Sequence, residues 1–323
     1  MRRRTALWVG SGAGVLLVFA AGCAGGDDRI CNADADCASA ICNPDGTCEP
    51  PADAGPGDGG GGGGDTGPGA DGGPAHDAPS ADSGGDAGAV GCAPNHDGVI
   101  ERLEVPLRAG LRATFRATTG ATVSTAGEPL TGGMRRWDFS TALPGDHDVL
   151  IELAPLDGQW FAADFPGASY WSRLSEREEL LGVFELGASE ILLRGVVSPE
   201  AGLTRTSVEH DPPVTVLHFP LQMGARWSTN ATVSGLSLGF FATWTERYEQ
   251  EVDARGELLT PFGTFPVLRV RITLTRVVGL LTTVVRSFAF VSECFGTVAT
   301  VVSDDNESRV EFTSAAEIRR LAP

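Results

Sequence analysis

The sequence predicts an all-β, mainly antiparallel domain over residues 91–323, either a large β-sandwich or an open or half β-barrel, with one or two short helices and a disordered linker ahead of it. Three observations predict this fold class. The composition changes after residue 90 from Gly, Asp, Pro and Ala to Val, Leu, Thr, Phe and Trp. Apolar and polar residues then alternate with a period of two, and turn-forming residues interrupt the alternation. Antiparallel strands produce this pattern because successive side chains point to opposite faces of a sheet.

Individual strands follow from the alternation. Residues 268–275 place apolar side chains on one face and Arg or Thr on the other, and residues 244–251 alternate in the same way. Residues 284–291 and 297–302 are almost continuously apolar, which is typical of strands buried on both faces. The domain is either one sheet system or two smaller β units that divide near residues 200–213.

Two short segments predict helices. Residues 175–181 begin with Ser and carry Glu three positions later, which is the pattern of a capping box. Residues 314–321 begin in the same way and end with two Arg before the last Leu, which suits the negative end of a helix dipole. We therefore expect one or two helical turns in a domain of strands.

The aromatic side chains are expected mostly in the core, because rings bury large apolar areas. A cavity for an apolar ligand would use the same residue types, so the sequence leaves a packed interior and a hollow one both open. The residues concerned are Trp137, Trp160, Phe161, Phe165, Tyr170, Trp171, Trp227, Phe240, Phe241 and Trp244.

Residues 1–22 predict a signal peptide. Three Arg follow Met1, and the apolar stretch after them is shorter than the roughly 20 residues that a membrane-spanning helix requires. Small residues lie directly before Cys23. The segment resembles the lipobox of bacterial lipoproteins, in which small residues precede an acylated cysteine, although Ala20 stands where that family prefers Leu.

This resemblance implies that Cys23 carries lipid and that residues 23–30 form the lipidated N-terminus. Well-studied lipoproteins that stay in the inner membrane have Asp after the acylated cysteine, whereas Ala24 follows here. The resemblance therefore implies an exported protein anchored to the outer membrane, on its periplasmic face or at the cell surface. The alternative is an ordinary cleaved signal peptide followed by an incidental cysteine.

Residues 31–48 form a small Cys-rich motif that is too short to bury a hydrophobic core. Two disulfides would hold it together, and sequence alone does not choose among the three pairings that four cysteines allow. Zinc is the alternative, but zinc sites prefer pairs two residues apart, and the gaps here are five, four and five. The spacing resembles small Cys-rich modules near the N-termini of bacterial lipoproteins, and loosely the Dickkopf N-terminal repeat. The cysteines are Cys31, Cys37, Cys42 and Cys48.

Residues 49–90 are expected to be a disordered tether. They consist mainly of Gly, Asp, Pro and Ala and contain no large apolar residue before Val90, so they cannot bury enough surface to offset the entropy of ordering. A Gly-rich coil of about 40 residues has a root-mean-square span of roughly 35 Å. The tether would therefore separate the β-rich domain from the membrane surface.

The charge balance excludes one class of partner. The chain contains no Lys and has a formal net charge of −18, and residues 24–90 contribute 13 acids against one Arg. Nucleic acids require basic patches on the protein, so we expect no nucleic-acid partner. The same balance argues against electrostatic binding to anionic lipid headgroups.

Cys92 and Cys294 are expected to pair, because with Cys23 acylated the remaining cysteines are even in number and an exported protein meets an oxidising compartment. The bond would join the start of the domain to a late strand. Two free thiols are the alternative.

One loop carries oxygen ligands at calcium-binding spacing. Asn95, Asp97, the Val99 carbonyl and Glu104 occupy positions that resemble an EF-hand or dockerin calcium loop. The resemblance implies calcium as a cofactor. The loop departs from the family in two ways. Ala93 stands at the first position, where the family has Asp, and Pro106 blocks the helix that would follow the loop. The alternative is a turn that leads into the first strand.

A serine-hydrolase motif is present in a weak form. Ser237 lies in a Gly-x-Ser-x-Gly stretch between Gly235 and Gly239, which fits the nucleophile elbow of α/β-hydrolases. That elbow requires a strand, a turn and a helix, whereas two β-like stretches flank this one. A chain with 43 Gly also produces such a match by chance about one time in three.

Part of the β-rich domain resembles a recurring pattern in secreted bacterial β proteins of unknown function. Residues 219–227 carry Phe-Pro-Leu followed by Gly and Trp, and residues 248–270 carry a Pro-x-Gly-Thr-Phe stretch before Leu-Arg-Val. The resemblance covers about 50 residues. It implies a similar fold and carries no catalytic residues.

The sequence therefore predicts a cell-envelope lipoprotein that displays a non-catalytic β-rich binding or structural domain. Its expected partners are the membrane, through the lipid anchor, and an unknown protein or apolar ligand. Two alternatives remain open: a carrier of lipid or another apolar ligand inside a β-shell, and a serine hydrolase that uses Ser237.

Overall fold

The computed structural model describes residues 92–323. The expectations for the signal peptide, Cys23, the Cys-rich motif and the tether lie outside the described residues. In the described part the chain forms strands connected by turns and three short 3₁₀ turns, and none of these turns has the length and apolarity that a membrane span needs. The all-β, mainly antiparallel prediction is confirmed.

The described part contains sixteen strands. In chain order they are β1 (Val99–Ile100), β2 (Arg112–Thr122), β3 (Glu128–Pro129), β4 (Arg135–Asp138), β5 (His147–Glu152), β6 (Tyr170–Arg173), β7 (Leu181–Leu186), β8 (Glu190–Val197), β9 (Ser207–His218), β10 (Leu221–Gln222), β11 (Arg226–Ser237), β12 (Phe240–Leu259), β13 (Thr264–Val278), β14 (Leu281–Ser292), β15 (Gly296–Ser303) and β16 (Ser314–Leu321). The four longest consecutive strands are β11 to β14. The 3₁₀ turns are Arg102–Glu104, Thr131–Gly133 and Ala162–Asp164.

One large sheet curls into a nearly closed barrel. Its strand order is β5-β2-β16-β15-β14-β13-β12-β11-β9-β8-β7-β6. The two end strands meet at an antiparallel bridge between Ala154 and Trp171, where each backbone N–H donates to the other residue's carbonyl over 2.9 Å. Strands β8 and β9 pair directly across the predicted division near residues 200–213, so one sheet runs through it.

Strand β12 organises the barrel because it pairs along its whole length. Its first half pairs with β11, its second half pairs in parallel with β4, and β13 accompanies it on the other edge. A bulge between Val252 and Ala254 shifts the register at the change of partner. At Gly256 the β4 backbone approaches so closely that a Cβ would lie 1.7 Å from the Arg135 carbonyl oxygen, so this parallel pairing requires glycine.

Alternate residues of the central strands face two different apolar clusters. On β14, Ala289 and Val291 belong to the cluster between β6–β9 and β11–β14, whereas Phe288 and Phe290 belong to a second cluster on the opposite face. There the ring of Phe290 contacts Trp137, which the excursion between β2 and β5 supplies, at a centroid distance of 5.0 Å. The continuous apolar run predicted for residues 284–291 is thus a strand buried on both faces.

Both predicted helices are wrong. Residues 174–180 form a loop, because the Ser175 hydroxyl donates to Glu317 over 2.6 Å and accepts the Arg177 N–H, instead of capping a helix. Residues 314–321 form β16, which is hydrogen-bonded to β15 on one side and β2 on the other. Neighbouring strands pair with this segment on both of its edges, and this tertiary pairing outweighs its local helix propensity.

Candidate functional site

The start of the domain is fixed to one end of the barrel. Cys92 and Cys294 form a disulfide with a Cα–Cα distance of 5.4 Å, across a sequence separation of 202 residues. Cys294 lies in the turn between β14 and β15 and adopts a φ of 65°. Its N–H also donates to the Glu104 carbonyl over 2.7 Å. The first described residue, Cys92, therefore lies at the end of the barrel where β14 ends.

The predicted calcium loop is a compact turn. Asn95 accepts the Asp97 N–H over 2.9 Å, and Asp97 accepts the Val99 N–H over 2.8 Å. Glu104 contacts Asn95 Nδ2 at 2.7 Å and accepts the Glu101 N–H. These oxygens satisfy the backbone in the way that Asx turns do. In residues 92–323 no three His, Cys, Asp or Glu side chains are grouped as metal ligands, so calcium binding stays a prediction.

The Gly-x-Ser-x-Gly stretch forms the tip of a β-hairpin. Ser237 ends β11 and pairs with Phe240 at the start of β12, with Leu238 and Gly239 as the two turn residues. The left-handed φ of 83° at Gly239 suits such a turn. A strand follows where the nucleophile elbow requires a helix, so this Ser lacks the local geometry of that motif.

A buried carboxylate lies inside the barrel behind this hairpin. The Glu246 side chain is 2% exposed, and each of its oxygens meets two donors. Oε1 accepts Trp244 Nε1 at 2.9 Å and Arg276 Nε at 2.7 Å. Oε2 accepts the Tyr248 hydroxyl at 2.8 Å and lies 3.3 Å from His210 Nε2. Strand register produces this cluster, because Glu246 lies directly opposite Arg276 in the β12–β13 pair.

The electrostatics of this cluster favour a fixed ion pair. Burial alone would raise the pKa of Glu246, but the hydrogen bond with His210 and the charge of Arg276 outweigh it and hold that pKa well below its usual range. Burial would lower the pKa of Arg276, yet Glu246 raises it overall. Burial raises the pKa of Tyr248, so its hydroxyl keeps the proton that it donates. A carboxylate held this strongly in its ionised form is a weak base.

The loop of residues 174–180 adds a second buried ionic contact. Ser175 donates to Glu317, and Glu317 Oε1 lies 2.7 Å from Nε of the fully buried Arg319. Burial raises the pKa of Glu178 on the same loop, against the lowering effect of Arg276. The loop is therefore held to β16 and reaches the Glu246 cluster.

A third set of ionic contacts lies beside the second apolar cluster. Arg269 on β13 binds both oxygens of Asp253 at 2.9 Å and Glu311 Oε1 at 2.7 Å. Its guanidinium lies 4.2 Å from the centre of the Phe288 ring and 5.4 Å from that of Trp137. Hydrogen bonds and cation–π contacts therefore hold the covering segments against β13.

A polar groove of about 540 Å³ runs over β11–β14. Glu251 lines it and forms ion pairs with Arg226 and Arg271, and the lining also includes Arg286, Trp227 and Glu249. Its lining holds three guanidinium groups and two carboxylates. The groove suits a polar ligand better than an apolar one.

The hairpin tips carry a set of exposed apolar side chains that we call the apolar rim. Their exposed fractions are high: Leu238 is 59% exposed, Phe240 79% and Phe241 75%, and Leu280 is fully exposed. The rim consists of Leu203, Leu238, Phe240, Phe241, Leu280 and Leu281. These six are half of the exposed large apolar residues in 92–323, so the apolar surface is concentrated at one end.

The rim corrects part of the expected core. Trp137, Phe161, Phe165 and Tyr170 are buried as expected, but the structure exposes both Phe240 and Phe241. The sequence contained one signal for this difference, since Gly239 precedes these two rings as Gly279 precedes Leu280 and Leu281. Apolar residues directly after a turn glycine lie at the tip of a hairpin, where no neighbouring strand covers them.

The chain matches no protein-family model and no curated protein. Among solved structures, a candidate lipoprotein from Parabacteroides distasonis is similar over 66% of this chain and 95% of that chain, at 9% identity and a TM-score of 0.31. A similarity this distant carries no argument about function. The apolar rim and the ionic clusters are therefore interpreted from their own geometry.

Proposed function

We propose that the protein is a lipid-anchored outer-membrane protein whose β-rich domain binds a partner and catalyses no reaction. The observation that carries the proposal is the apolar rim. Large apolar patches left exposed at one site of a folded domain mark interaction surfaces, because their burial against a partner is favourable. The lipid anchor rests on the lipobox resemblance around Cys23.

The ionic clusters support binding over catalysis. The buried carboxylate of Glu246 meets donors at both oxygens and has a lowered pKa, which leaves it little capacity as a general base. Ser237 lies at a hairpin tip between strands. These groups stabilise the barrel, and the exposed side chains at its end remain for recognition.

The apolar-ligand carrier receives less support. The space between β6–β9 and β11–β14 is filled by packed side chains such as Tyr170, Phe184 and Leu274, and the surface groove is ion-paired. Mass spectrometry of the purified protein under native conditions tests this alternative. A co-purifying apolar ligand would favour the carrier over our proposal.

Metabolic labelling with a palmitate analogue tests the anchor. We expect the wild-type protein to be labelled and to sediment with outer membranes in a density gradient. Cys23→Ser should lose both the label and the sedimentation, whereas Cys48→Ser, a matched control, should keep both. Equal labelling of Cys23→Ser and the wild type would contradict the proposal.

A fluorophosphonate probe tests the absence of serine-hydrolase chemistry. We expect no labelling of the folded wild-type protein, because Ser237 pairs with Phe240 at the end of a hairpin. Labelling of the wild type that disappears in Ser237→Ala would show an activated serine and would overturn the non-catalytic assignment.

A further inference from the structure

Neighbouring loops meet at the apolar rim. In the β11–β12 hairpin, Gly239 N–H donates to the Arg205 carbonyl over 2.9 Å, and Leu238 N–H contacts Thr206 Oγ1 at 3.3 Å. These bonds hold the loop that carries Leu203 against the hairpin tip. A Cβ on Gly239 would lie 2.0 Å from the Leu203 carbonyl oxygen, so this close contact requires glycine.

The β13–β14 hairpin adds the remaining members of the rim. Thr245 on β12 lies opposite Val277 on β13, and Val278 at the end of β13 pairs with Leu281 on β14. Leu280 and Leu281 therefore lie at the tip of the hairpin next to β12, and the β11–β12 tip extends farther out than this one. The six rim side chains therefore protrude from adjacent turns at one end of the barrel. Protruding tips of this kind penetrate a soft medium more readily than they match a flat protein surface.

The two hairpins of the rim carry no charges near their tips. Residues 227–245 and 277–285 contain no acid or base. Charges of both signs lie near the tips: Glu200 and Arg205 flank Leu203 on its loop, and Glu246 is buried against Arg276. Arg247 and Arg286 lie farther along their strands. Two residues of β13 and the turn residue Gly279 separate the Leu280 tip from Arg276, which is a depth of about 10 Å. Interfacial segments enter a bilayer to a depth of about 5–10 Å.

We propose that the apolar rim inserts into the interface of a zwitterionic phospholipid bilayer. This inference rests on the proposed function, since it names the partner of the binding domain. The mixed charges behind the rim match headgroups that carry both signs, and the acidic surplus of the chain gives no attraction to anionic lipid. Apolar insertion therefore supplies the binding energy.

A lipid anchor at Cys23 would keep the domain near a membrane, and the chain between Cys23 and Cys92 limits the distance between the domain and that membrane. Cys92 is held at the end of β14 opposite the rim, and the 12 residues of β14 span about 40 Å. The chain from Cys23 to Cys92 is about 70 residues long and reaches at most about 230 Å when extended. It is long enough to pass along the barrel, so the rim can meet the membrane that holds the anchor.

Vesicle partitioning of the unacylated chain 24–323 tests the proposal separately from acylation. We expect binding to phosphatidylcholine vesicles, with a partition coefficient about tenfold lower for Phe241→Ser and lower again for Phe240→Ser/Phe241→Ser. The matched control is Phe262→Ser, which changes an exposed ring at the opposite end of β12 and should leave partitioning unchanged. Circular dichroism spectra should be identical for all variants, because these side chains are exposed.

Three results would overturn the proposal: no binding of the wild-type chain to vesicles, equal loss of binding in the Phe262→Ser control, and binding that appears only with anionic lipid. Self-association that requires the rim, without vesicle binding, would assign the surface to a second copy instead. Loss of palmitate label at Cys23 with vesicle binding intact would remove the anchor and leave the rim assignment standing.

A fluorescent probe gives a readout that a folding defect does not imitate. Phe241→Trp places an indole in the rim, and Phe262→Trp places one at the opposite end. Vesicles of brominated phosphatidylcholine should quench the added emission of the first variant and not that of the second. Equal quenching, or none, would contradict insertion through the rim.

Discussion

Aromatic residues lie near both ends of strand β12, and the two ends differ in how far other parts of the chain cover these side chains. At the end near Thr260 and Gly263, which we call the sealed end, Phe265 is buried and packs against Phe295 at a centroid distance of 4.9 Å. At the other end Phe240 and Phe241 are exposed. Chain segments that return from elsewhere bury the ring at the first end, whereas the Leu203 loop at the second end leaves both rings exposed. Strand alternation therefore determines which face of the sheet an aromatic side chain lies on. Whether the side chain is buried depends on other segments of the chain that pack over it.

The sealed end depends on long-range connections. The Phe262 N–H donates to the Leu321 carbonyl over 3.1 Å, and the Cys92–Cys294 disulfide lies beside the same turn region. These contacts join residues that are distant in sequence. At the rim end, the β11–β12 tip is held by hydrogen bonds to the Leu203 loop, through the Arg205 carbonyl and the Thr206 hydroxyl. This contrast predicts where the domain is stabilised and where it is free to bind.

The largest effect is expected from removing the covalent connection at the sealed end. Cys92→Ser/Cys294→Ser should lower the free energy of unfolding by about 5 kcal/mol, since the bond closes a loop of about 200 residues in the unfolded chain. Urea denaturation followed by tryptophan fluorescence measures it. A loss below about 1 kcal/mol would show that the non-covalent contacts of the sealed end suffice.

The next effect concerns the buried ion cluster behind the rim. Glu246→Ala should lower the free energy of unfolding by about 4 kcal/mol, because it leaves Arg276 and His210 buried without their acceptor. Glu249→Ala on the same strand is the control and should cost less than about 1 kcal/mol, as it breaks an exposed pair with Arg247. Similar losses in both variants would contradict the assignment of Glu246 as a buried structural ion.

A pair of aromatic truncations compares the two ends directly. Phe265→Ala should cost about 3 kcal/mol of unfolding free energy, because it opens a cavity beside Phe295. Phe241→Ala should change it by about 0.5 kcal/mol or less, because the ring is already in solvent. Thermal or urea unfolding of the two variants checks this. A large loss for Phe241→Ala would mean that the rim is part of the core.

Acid should weaken the domain through Glu246. Its pKa is lower in the folded state than in the unfolded chain, so the unfolded chain binds more protons below pH about 4.5. The stabilisation is present at neutral pH and is lost as the pH falls from that value toward the folded pKa, with a slope of at most about 1.4 kcal/mol per pH unit. Glu246→Gln should flatten the profile. An unchanged slope in that variant would assign the acid sensitivity to other carboxylates.

The alternation in residues 244–251 predicted that Trp244, Glu246, Tyr248 and Gln250 share one face, and the register confirms it. The ion cluster itself could not be predicted, because His210 and Arg276 lie 36 and 30 residues from Glu246 in sequence. Only the strand order brings them together. Periodicity determines the face of a side chain, whereas its partners depend on topology.

The segment 314–321 shows the opposite case, in which a local signal was misleading. Its Ser start and Arg-rich end favour a helix, yet the chain pairs as β16 between β15 and β2. A position between two strands satisfies backbone groups on both edges, and this gain exceeds a helix propensity that differs by only about 0.5 kcal/mol per residue. The exposure of Phe240 and Phe241 was not predicted, for a related reason. Whether a ring is buried depends on segments that are distant in sequence, and the local pattern does not contain that information.

The near closure of the sheet affects how copies of the domain behave when crowded. An open sheet edge exposes unpaired N–H and C=O groups that recruit strands from other molecules and begin aggregation. Here the bridge between Ala154 and Trp171 brings together β5 and β6, the two strands at the ends of the sheet order, and shortens the open edge. The lipid anchor that we propose would concentrate copies of the domain in two dimensions, where edge-to-edge association would be most damaging. The closed outline of the barrel makes such crowding tolerable.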